Sequence, residues 1–594
     1  MNGAKKPFQE SKSPIITYQK GRRYVMVHNV SRLKWIAFMV IVFSSMVLNV
    51  QAGERAMDIN RIIKSKAPIE HLNSQINKLA PITLAPDYSY LPENEQEVVA
   101  LLVEASRYIG KAFAIQVNKK NWLLEKALET YIGTDDQVYY DYFKIMVGPW
   151  DRLDNNAPFI NLDELKPSGA NYYPADMTTE AFEDWIAAHP DDEEAFTSEF
   201  TMIRLLGDRL VAIPYPWYFG DLLRPAARLM RKAARKTSDP TLAKYLRSRA
   251  KSFFTNDYRQ SDIDWIGLSG DIELVIGPYE VYEDELFNYK AAYESFVCLV
   301  DREESQKLDT IQNYRAQLVE NFPVSPEYDL EPRGLSSPIK VVNEVFAAGD
   351  ARVGIPAIAF NLPNDAWVRE NVGSKNVMLK NMLEAKYDGV LIPIKDTILA
   401  PQDRDKPTFD GFFNFVLMHE ISHGLNPGNI VVDGVETTVR DELKELYSTI
   451  EECLADVESI WNNLYMINVP DSPMPPGLQD SLFASYLAGM FRSIRFGIDS
   501  AHGGGIAMQL NWHLENNGFN FNEDGQFYVD ETALIESVRS LVNKLLVIEL
   551  TGDYNAAKAL IDDYRYVSPQ VQAVLDGLVD VPVDVIKQYP FDSE

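Results

Sequence analysis

The sequence predicts a mainly α-helical chain with a smaller β part, folded as two lobes. Its 594 residues exceed what one hydrophobic core usually supports. Apolar residues recur at three and four over long stretches, while β-branched runs are few, short and bounded by Gly and Pro. At 46% apolar and 24% charged the composition is that of a globular protein, and no low-complexity tract suggests disorder.

The first 52 residues stand apart. They carry eight Lys/Arg and one Glu around the apolar run Trp35 to Leu48, "WIAFMVIVFSSMVL". That run has the length of a signal-peptide core and falls short of the ~20 residues a spanning helix needs. Val50-Gln51-Ala52 offers small residues where a signal peptidase reads. We therefore expect a signal peptide over 1–52, cleavage after Ala52 and export to the periplasm. The alternative is an uncleaved N-terminal membrane anchor, and Met26 is a second candidate start. No cysteine lies near Ala52, which excludes a lipoprotein anchor. With those 52 residues (+7) removed from a chain of −29, the remainder carries −36. Such a field repels nucleic acid and anionic membranes, so neither is an expected partner once the signal is gone.

From Pro92 to about Ile132 the spacing is helical ("VVALLVEASRYIGKAFAIQ"), and "GPWDRLDNNAPF" and "AAHPDDEEAF" read as loops. Residues 221 to 254 read as a helical pair with a solvated basic face. "ARVGIPAIAFNLP" and "YDGVLIPI" are the clearest strand-like runs. A linker at Pro401 to Pro407 divides a first lobe, 53–405, from a mainly helical second lobe, 406–594.

Only Cys298 and Cys453 occur, too few for a disulfide framework or a four-cysteine metal knot. Any metal must be held by His and carboxylates, and beyond Ala52 only His71, His189, His419, His423, His502 and His513 remain. "VLMHEISHGLNPG" places two of them four apart. On a helix over 411–423, ended by Gly424, Asn426 and Pro427, His419 and His423 share a face and reach one Zn²⁺ at about 2.0–2.1 Å. Glu420 is placed to take a proton from a zinc-bound water. A third ligand comes from "STIEECLADVESIW", where Glu452 and Asp456 lie one turn apart, away from the apolar stripe of their helix. A solvated acidic face would look the same. A metal cleft is also polar, with Glu452 as ligand and Asp456 orienting a histidine through its second nitrogen.

These residues resemble the dipeptidyl peptidase III metallopeptidases. The matching pieces run in order from Glu273 to Gly518: "IELVIGPYEVYEDELFNYKAAYESFV", "FNLPNDAWVRENVGSKNVMLKN", "HEISHG", "EECLAD" and "AHGGGIAMQLNWHLENNG". The resemblance implies two lobes separated by a cleft, the metal on the mainly helical lobe and amine-recognition elements on the other. It implies one Zn²⁺ per chain on His419, His423 and Glu452, with Glu420 as general base. Glu451 and Asp456 would surround the ligands, and His502 would stabilise the transition state. Asn361 and Asn364 would grip the free amino terminus of an oligopeptide substrate, with Glu273 as acidic partner. Other readings stay open for the last four: a turn at Asn361 and Asn364, a surface carboxylate at Glu273, a loop cap at His502.

Three positions depart from the family pattern. The zinc histidines are separated by three residues, the plain form that suits a regular helix. Val275 stands where the family has a tyrosine, with Tyr279 and Tyr282 as possible substitutes. Ile506 replaces an arginine that would clamp the far carboxylate of the substrate. Among rivals, the Gly-x-Met-Glu-Asn motif of another zinc aminopeptidase group is absent, and "HGGG" at 502–505 has no Gly-x-Ser-x-Gly elbow to make a serine hydrolase. A zinc-bearing protein that binds peptides without cutting them is the alternative from another class.

Overall fold

The computed structural model describes residues 62–328, 330 and 339–593, so the expected signal peptide lies outside the described residues. The chain divides after Ile62, and the body begins at Ile63.

Helix α1 (Ile69–Ile76) and strand β1 (Leu79–Thr83) open that body. Helix α2 (Glu93–Val117) realises most of the helical spacing after Pro92, and a shorter helix, Asn121–Leu128, continues it beyond an extended Asn118. Val98, Leu102, Ser106, Ile109 and Phe113 of α2 repeat at three and four and are fully buried. The basic region forms the expected pair, α3 (Gly220–Lys236) and α4 (Pro240–Thr255). Arg228, Arg231, Lys232 and Arg235 are exposed, whereas Arg249 is buried against Asp262.

A five-stranded sheet follows: β2 (Ile272–Pro278), β3 (Tyr293–Val300), β4 (Ile339–Gly349), β5 (Ala359–Leu362) and β6 (Lys375–Leu379), in spatial order β2-β3-β4-β6-β5. Neighbours are antiparallel except β6, which runs parallel to β4. Alternation along β3 sets its two faces. Ser295 meets Ser106 of α2 at 2.8 Å, while Phe296 stacks on Phe360 of β5 at 4.7 Å on the other side.

Two strand expectations need correction. "ARVGIPAIAFNLP" is extended only at its end, in β5. "YDGVLIPI" is helical throughout, a π-turn over Tyr387–Leu391 running into helix Ile392–Ile398. Its apolar run is largely buried, a case where periodicity does not separate strand from helix, and Pro393 sits in the first turn, where a missing N–H costs nothing.

The helical half contains α5 (Phe409–Ser422), α6 (Tyr447–Ile467), α7 (Leu478–Ser493), α8 (Ala501–Glu515) and α9 (Glu531–Thr551). Helix α6 is central, packed by α5, α8 and α9. Strand β7 (Asp584–Gln588) then returns to pair in parallel with β1, and Lys587 donates to Glu344 of β4 at 3.0 Å. Among the described residues no helix is long and apolar enough to cross a membrane.

Candidate metal centre

Three helices build the site. Helix α5 starts at Thr408, whose hydroxyl accepts from the Gly411 N–H at 3.0 Å, and its apolar residues are buried all round. His419 and His423 lie one turn apart at its end, with Glu420 half-buried between them. Helix α6 brings Glu451, Glu452 and Asp456. Helix α8 brings His502 in its first turn, capped by Ser500.

The glycines after His502 explain how α8 gets so close. A Cβ on Gly505 would stand 3.1 Å from the Cys453 backbone nitrogen, and one on Gly503 would strike the Gly497 carbonyl oxygen at 1.9 Å. Within the "HGGG" run, which lies inside a helix rather than in a loop, Gly505 makes the close contact with α6 and Gly503 the one with the turn before α8.

His419 Nε2 lies 3.4 Å and His423 Nε2 3.5 Å from Glu452 Oε2, and the two imidazole nitrogens are 3.2 Å apart. Two ligands at ~2.1 Å on a tetrahedral ion stand ~3.4 Å apart, so this triangle has the size of one face of a zinc coordination sphere. Glu452 Oε2 makes no well-formed hydrogen bond, only ion-pair contacts of 3.2–3.5 Å to three imidazoles, as expected of an atom that shares a cation with them. The residues present fit Zn²⁺, and the donor set suits zinc over magnesium or calcium.

The outer nitrogens are fixed too. His419 Nδ1 is 2.8 Å from Asp456 Oδ1, and His423 Nδ1 is 2.9 Å from Glu451 Oε1. Each carboxylate accepts the Nδ1 proton, so Nε2 is the nitrogen that would give up its proton to a cation. Asp456 is itself held by Gln509 Nε2 at 2.9 Å, Gln509 Oε1 accepts from Tyr486 at 2.7 Å, and Tyr486 meets His513 Nε2 at 3.1 Å. Neither Gln509 nor Tyr486 stands out in the sequence, and His513, one of the six histidines available for a metal, lies behind the site instead of in it. Their signal was only a polar residue among buried neighbours.

Charge in the site is strongly polarised. Burial opposes the imidazolium of His423, but Glu451 and Glu452 outweigh it and lift its pKa to about 9; burial opposes that of His419 too, and Asp456 and Glu452 raise it well above the ordinary value. Burial likewise opposes the Glu452 carboxylate, yet the three histidines hold it far below the usual range. His502, with Nδ1 3.2 Å from Glu452 Oε2, is 65% exposed.

The expected amine-binding residues divide. Asn361 and Asn364 bracket the end of β5. Asn364 donates to the Tyr279 carbonyl at 2.9 Å and reaches Glu280 Oε1 at 3.5 Å, and Asn361 Oδ1 is buried without a partner. Glu273 is elsewhere. It is 1% exposed, and both its oxygens accept from Lys375 Nζ at 2.8 Å. A carboxylate sealed in a buried ion pair does not face an incoming amine, so the expected role of Glu273 is corrected to a structural one. Its partner lies 102 residues away, beyond any local pattern.

The nearer acids are ones the sequence reading passed over. Glu294 on β3 is 5% exposed, sits in register between Gly277 and Gly349, and has no hydrogen-bond or ion-pair partner among the described residues. Burial, then Asp350 and Glu280, raise its pKa well above the ordinary carboxylate value; Glu280 is itself raised by burial. A cavity of about 660 Å³ opens beside Asn364, lined by Glu199, Tyr258, Asp262, Tyr279, Asp365 and Trp367. Val275 and Ile506 are both buried, 1% and 4% exposed. Tyr282 is 73% exposed and Tyr279 packs under Arg249.

A mainly helical, two-lobed chain with a His-Glu-x-x-His helix facing a glutamate-bearing helix is built as a metallopeptidase is built. The model of peptidase family M49 matches residues 177–425. The chain is similar to the structure of dipeptidyl peptidase III from Caldithrix abyssi, 46% identical over 88% of this chain and 99% of that one, with a TM-score of 0.84. It is also similar to dipeptidyl peptidase III from Corallococcus sp. strain EGB: 38% identity, 89% and 98% coverage, TM-score 0.72. Nudix hydrolase 3 of Arabidopsis thaliana is 32% identical over 582 residues, 89% of this chain and 75% of that protein, so a quarter of it lies outside the match. This chain belongs to the dipeptidyl peptidase III family of peptidases.

Proposed function

We propose that the chain is an exported zinc-dependent dipeptidyl peptidase that shortens oligopeptides from their free amino terminus. The observation that carries this is the triangle of His419, His423 and Glu452, with the nitrogens of three histidines converging on one buried Glu452 oxygen and Glu420 beside it. Zn²⁺ held there would supply a Lewis acid that polarises the scissile carbonyl and acidifies water. Glu420 takes the proton from the attacking water and passes it to the leaving amine. His502, exposed at the rim, donates to the oxygen on which negative charge develops.

Asn361 and Asn364 hold the peptide terminus at a fixed distance from the metal, which makes an exopeptidase by position alone. Glu280 and Glu294 take over the acidic role first expected of Glu273. Asn361 Oδ1 and these two carboxylates are acceptors for the three protons of an ammonium group.

Glu420→Gln in the zinc-loaded chain should abolish turnover and leave the metal bound; retained turnover would sink the assignment. Mass spectrometry of peptides with free and acetylated termini reads the specificity. Dipeptides released only from free-amine substrates support it, and zinc binding without cleavage favours a peptide-binding protein instead.

A further inference from the structure

A second group of metal-binding side chains lies far along the sequence from the site just described. Helix α1 presents His71 and Gln75 on one face, one turn apart. The turn after Trp150 presents Asp151 and Asp154 toward them. Ligand atoms of His71, Asp151 and Asp154 all lie within 4.8 Å of one another.

Asp151 is 1% exposed and rigidly held. Its Oδ1 accepts from Tyr142 at 2.6 Å and from the Leu153 N–H at 2.8 Å, and its Oδ2 accepts from Gln75 Nε2 at 2.7 Å. Oδ2 lies 3.8 Å from His71 Nε2. That is too long for a hydrogen bond and ~0.4 Å wider than two ligands on a tetrahedral ion, a gap that a small rotation of the half-exposed His71 ring closes. The independent sign is Gln75. It is 3% exposed, and its Oε1, part of the same amide that touches Asp151, is buried with no partner. A buried amide oxygen left unsatisfied is costly. A cation beside Asp151 would satisfy it.

We propose that His71, Asp151 and Asp154, with the Gln75 amide oxygen beside them, form a second, structural site for a first-row divalent cation, the imidazole admitting Zn²⁺, which serves as the test ion. The ion would tie α1 to the 151–156 turn. That turn carries Arg152, which pairs with Glu283 at 2.8 Å, and Asn156, which donates to Glu285 at 3.1 Å. The site thus braces the segment next to Glu280 and Asn364.

The test is metal stoichiometry. The full chain is stripped with chelator, dialysed against micromolar Zn²⁺ and assayed by elemental mass spectrometry, alongside His71→Ala, Asp154→Asn, His419→Ala and the His71/His419 double variant. Two zinc ions should bind wild type, one each single variant and none the double variant. Asp154 is exposed, so its isosteric replacement leaves folding intact, and a melting curve on each variant checks this. The melting temperature of wild type should fall on chelation by more than that of Asp154→Asn. One ion per wild-type chain, or two that persist in His71→Ala and Asp154→Asn, would overturn the proposal. Because the count reads binding at each site separately, neither result depends on whether peptides are cleaved.

Discussion

The reassignment of Glu273 makes a quantitative prediction. Glu273 and Lys375 have side chains 2% and 1% exposed, and Lys375 also donates to the Trp265 carbonyl at 3.1 Å and sits 4.0 Å over the Trp265 ring. Removing one member of such a pair strands a buried charge and costs ~3–5 kcal/mol, whereas replacing both by apolar residues of similar volume is often neutral or better. Glu273→Leu and Lys375→Met should each lower stability by that amount, and the double variant should recover at least ~2 kcal/mol of the summed loss. Lys375→Met should be the worse single change, because it also strips the Trp265 carbonyl of its donor. At ~2–4 °C per kcal/mol for a 150–250-residue unit, and less in a larger body, the single variants should melt several degrees early. Thermal melts give the cycle, and dipeptide release from free and acetylated peptides gives the function. The double variant should keep its preference for a free amine. If it folds as well as wild type but loses that preference, Glu273 reaches the substrate and the structural reading is wrong.

Asp456→Asn or Gln509→Leu should weaken zinc binding ~10–100-fold in a chelator competition, since each loosens the grip on His419. Thr408→Ala should cost ~1 kcal/mol by uncapping α5, seen as an earlier urea midpoint. His513 is fully buried and its pKa is driven down to about 3 by that burial, so the native state keeps it neutral while the unfolded chain protonates near 6.5. With the folded pKa depressed, the stability it contributes is complete above the unfolded value and is lost as pH falls, by ~1.4 kcal/mol per unit. Urea unfolding at pH 7 and pH 5 should differ by ~2 kcal/mol from this group alone, and His513→Gln should remove that part of the slope.

The cluster of the candidate metal centre was legible in sequence because the information is local. A spacing of four on a helix puts His419 and His423 on one face whatever the rest of the chain does. Glu451, Glu452 and Asp456 read the same way, although a solvated acidic face would have shown equal spacing; the decision came from burial, with Glu451 at 5% and Asp456 at 7% exposure. The strand expected over "YDGVLIPI" failed because its burial on many sides erases the period that separates strand from helix. Glu273 failed for a different reason. Its charge is cancelled by Lys375 across two intervening strands, and only the order β2-β3-β4-β6 brings them together.

What a linear reading lacks is which helices meet, and here three glycines carry that information. Gly503, Gly504 and Gly505 follow His502, and a run of three is a poor choice for a helix interior at roughly 0.5–1 kcal/mol each relative to Ala. Such a cost persists where something else is gained. A side chain at 505 would meet the Cys453 backbone, one at 504 Arg565, the Ile498 carbonyl and Thr449, and one at 503 the Gly497 carbonyl, so Gly505 sets the distance between α8 and α6 and the other two let the preceding turn close over the helix start. That distance puts His502 3.2 Å from Glu452 and Gln509 2.9 Å from Asp456. Gly505→Ala should push the helices apart. It should weaken metal binding through Gln509 and also lower turnover at saturating zinc through His502, a paired loss that neither His502→Ala nor Gln509→Leu would show alone.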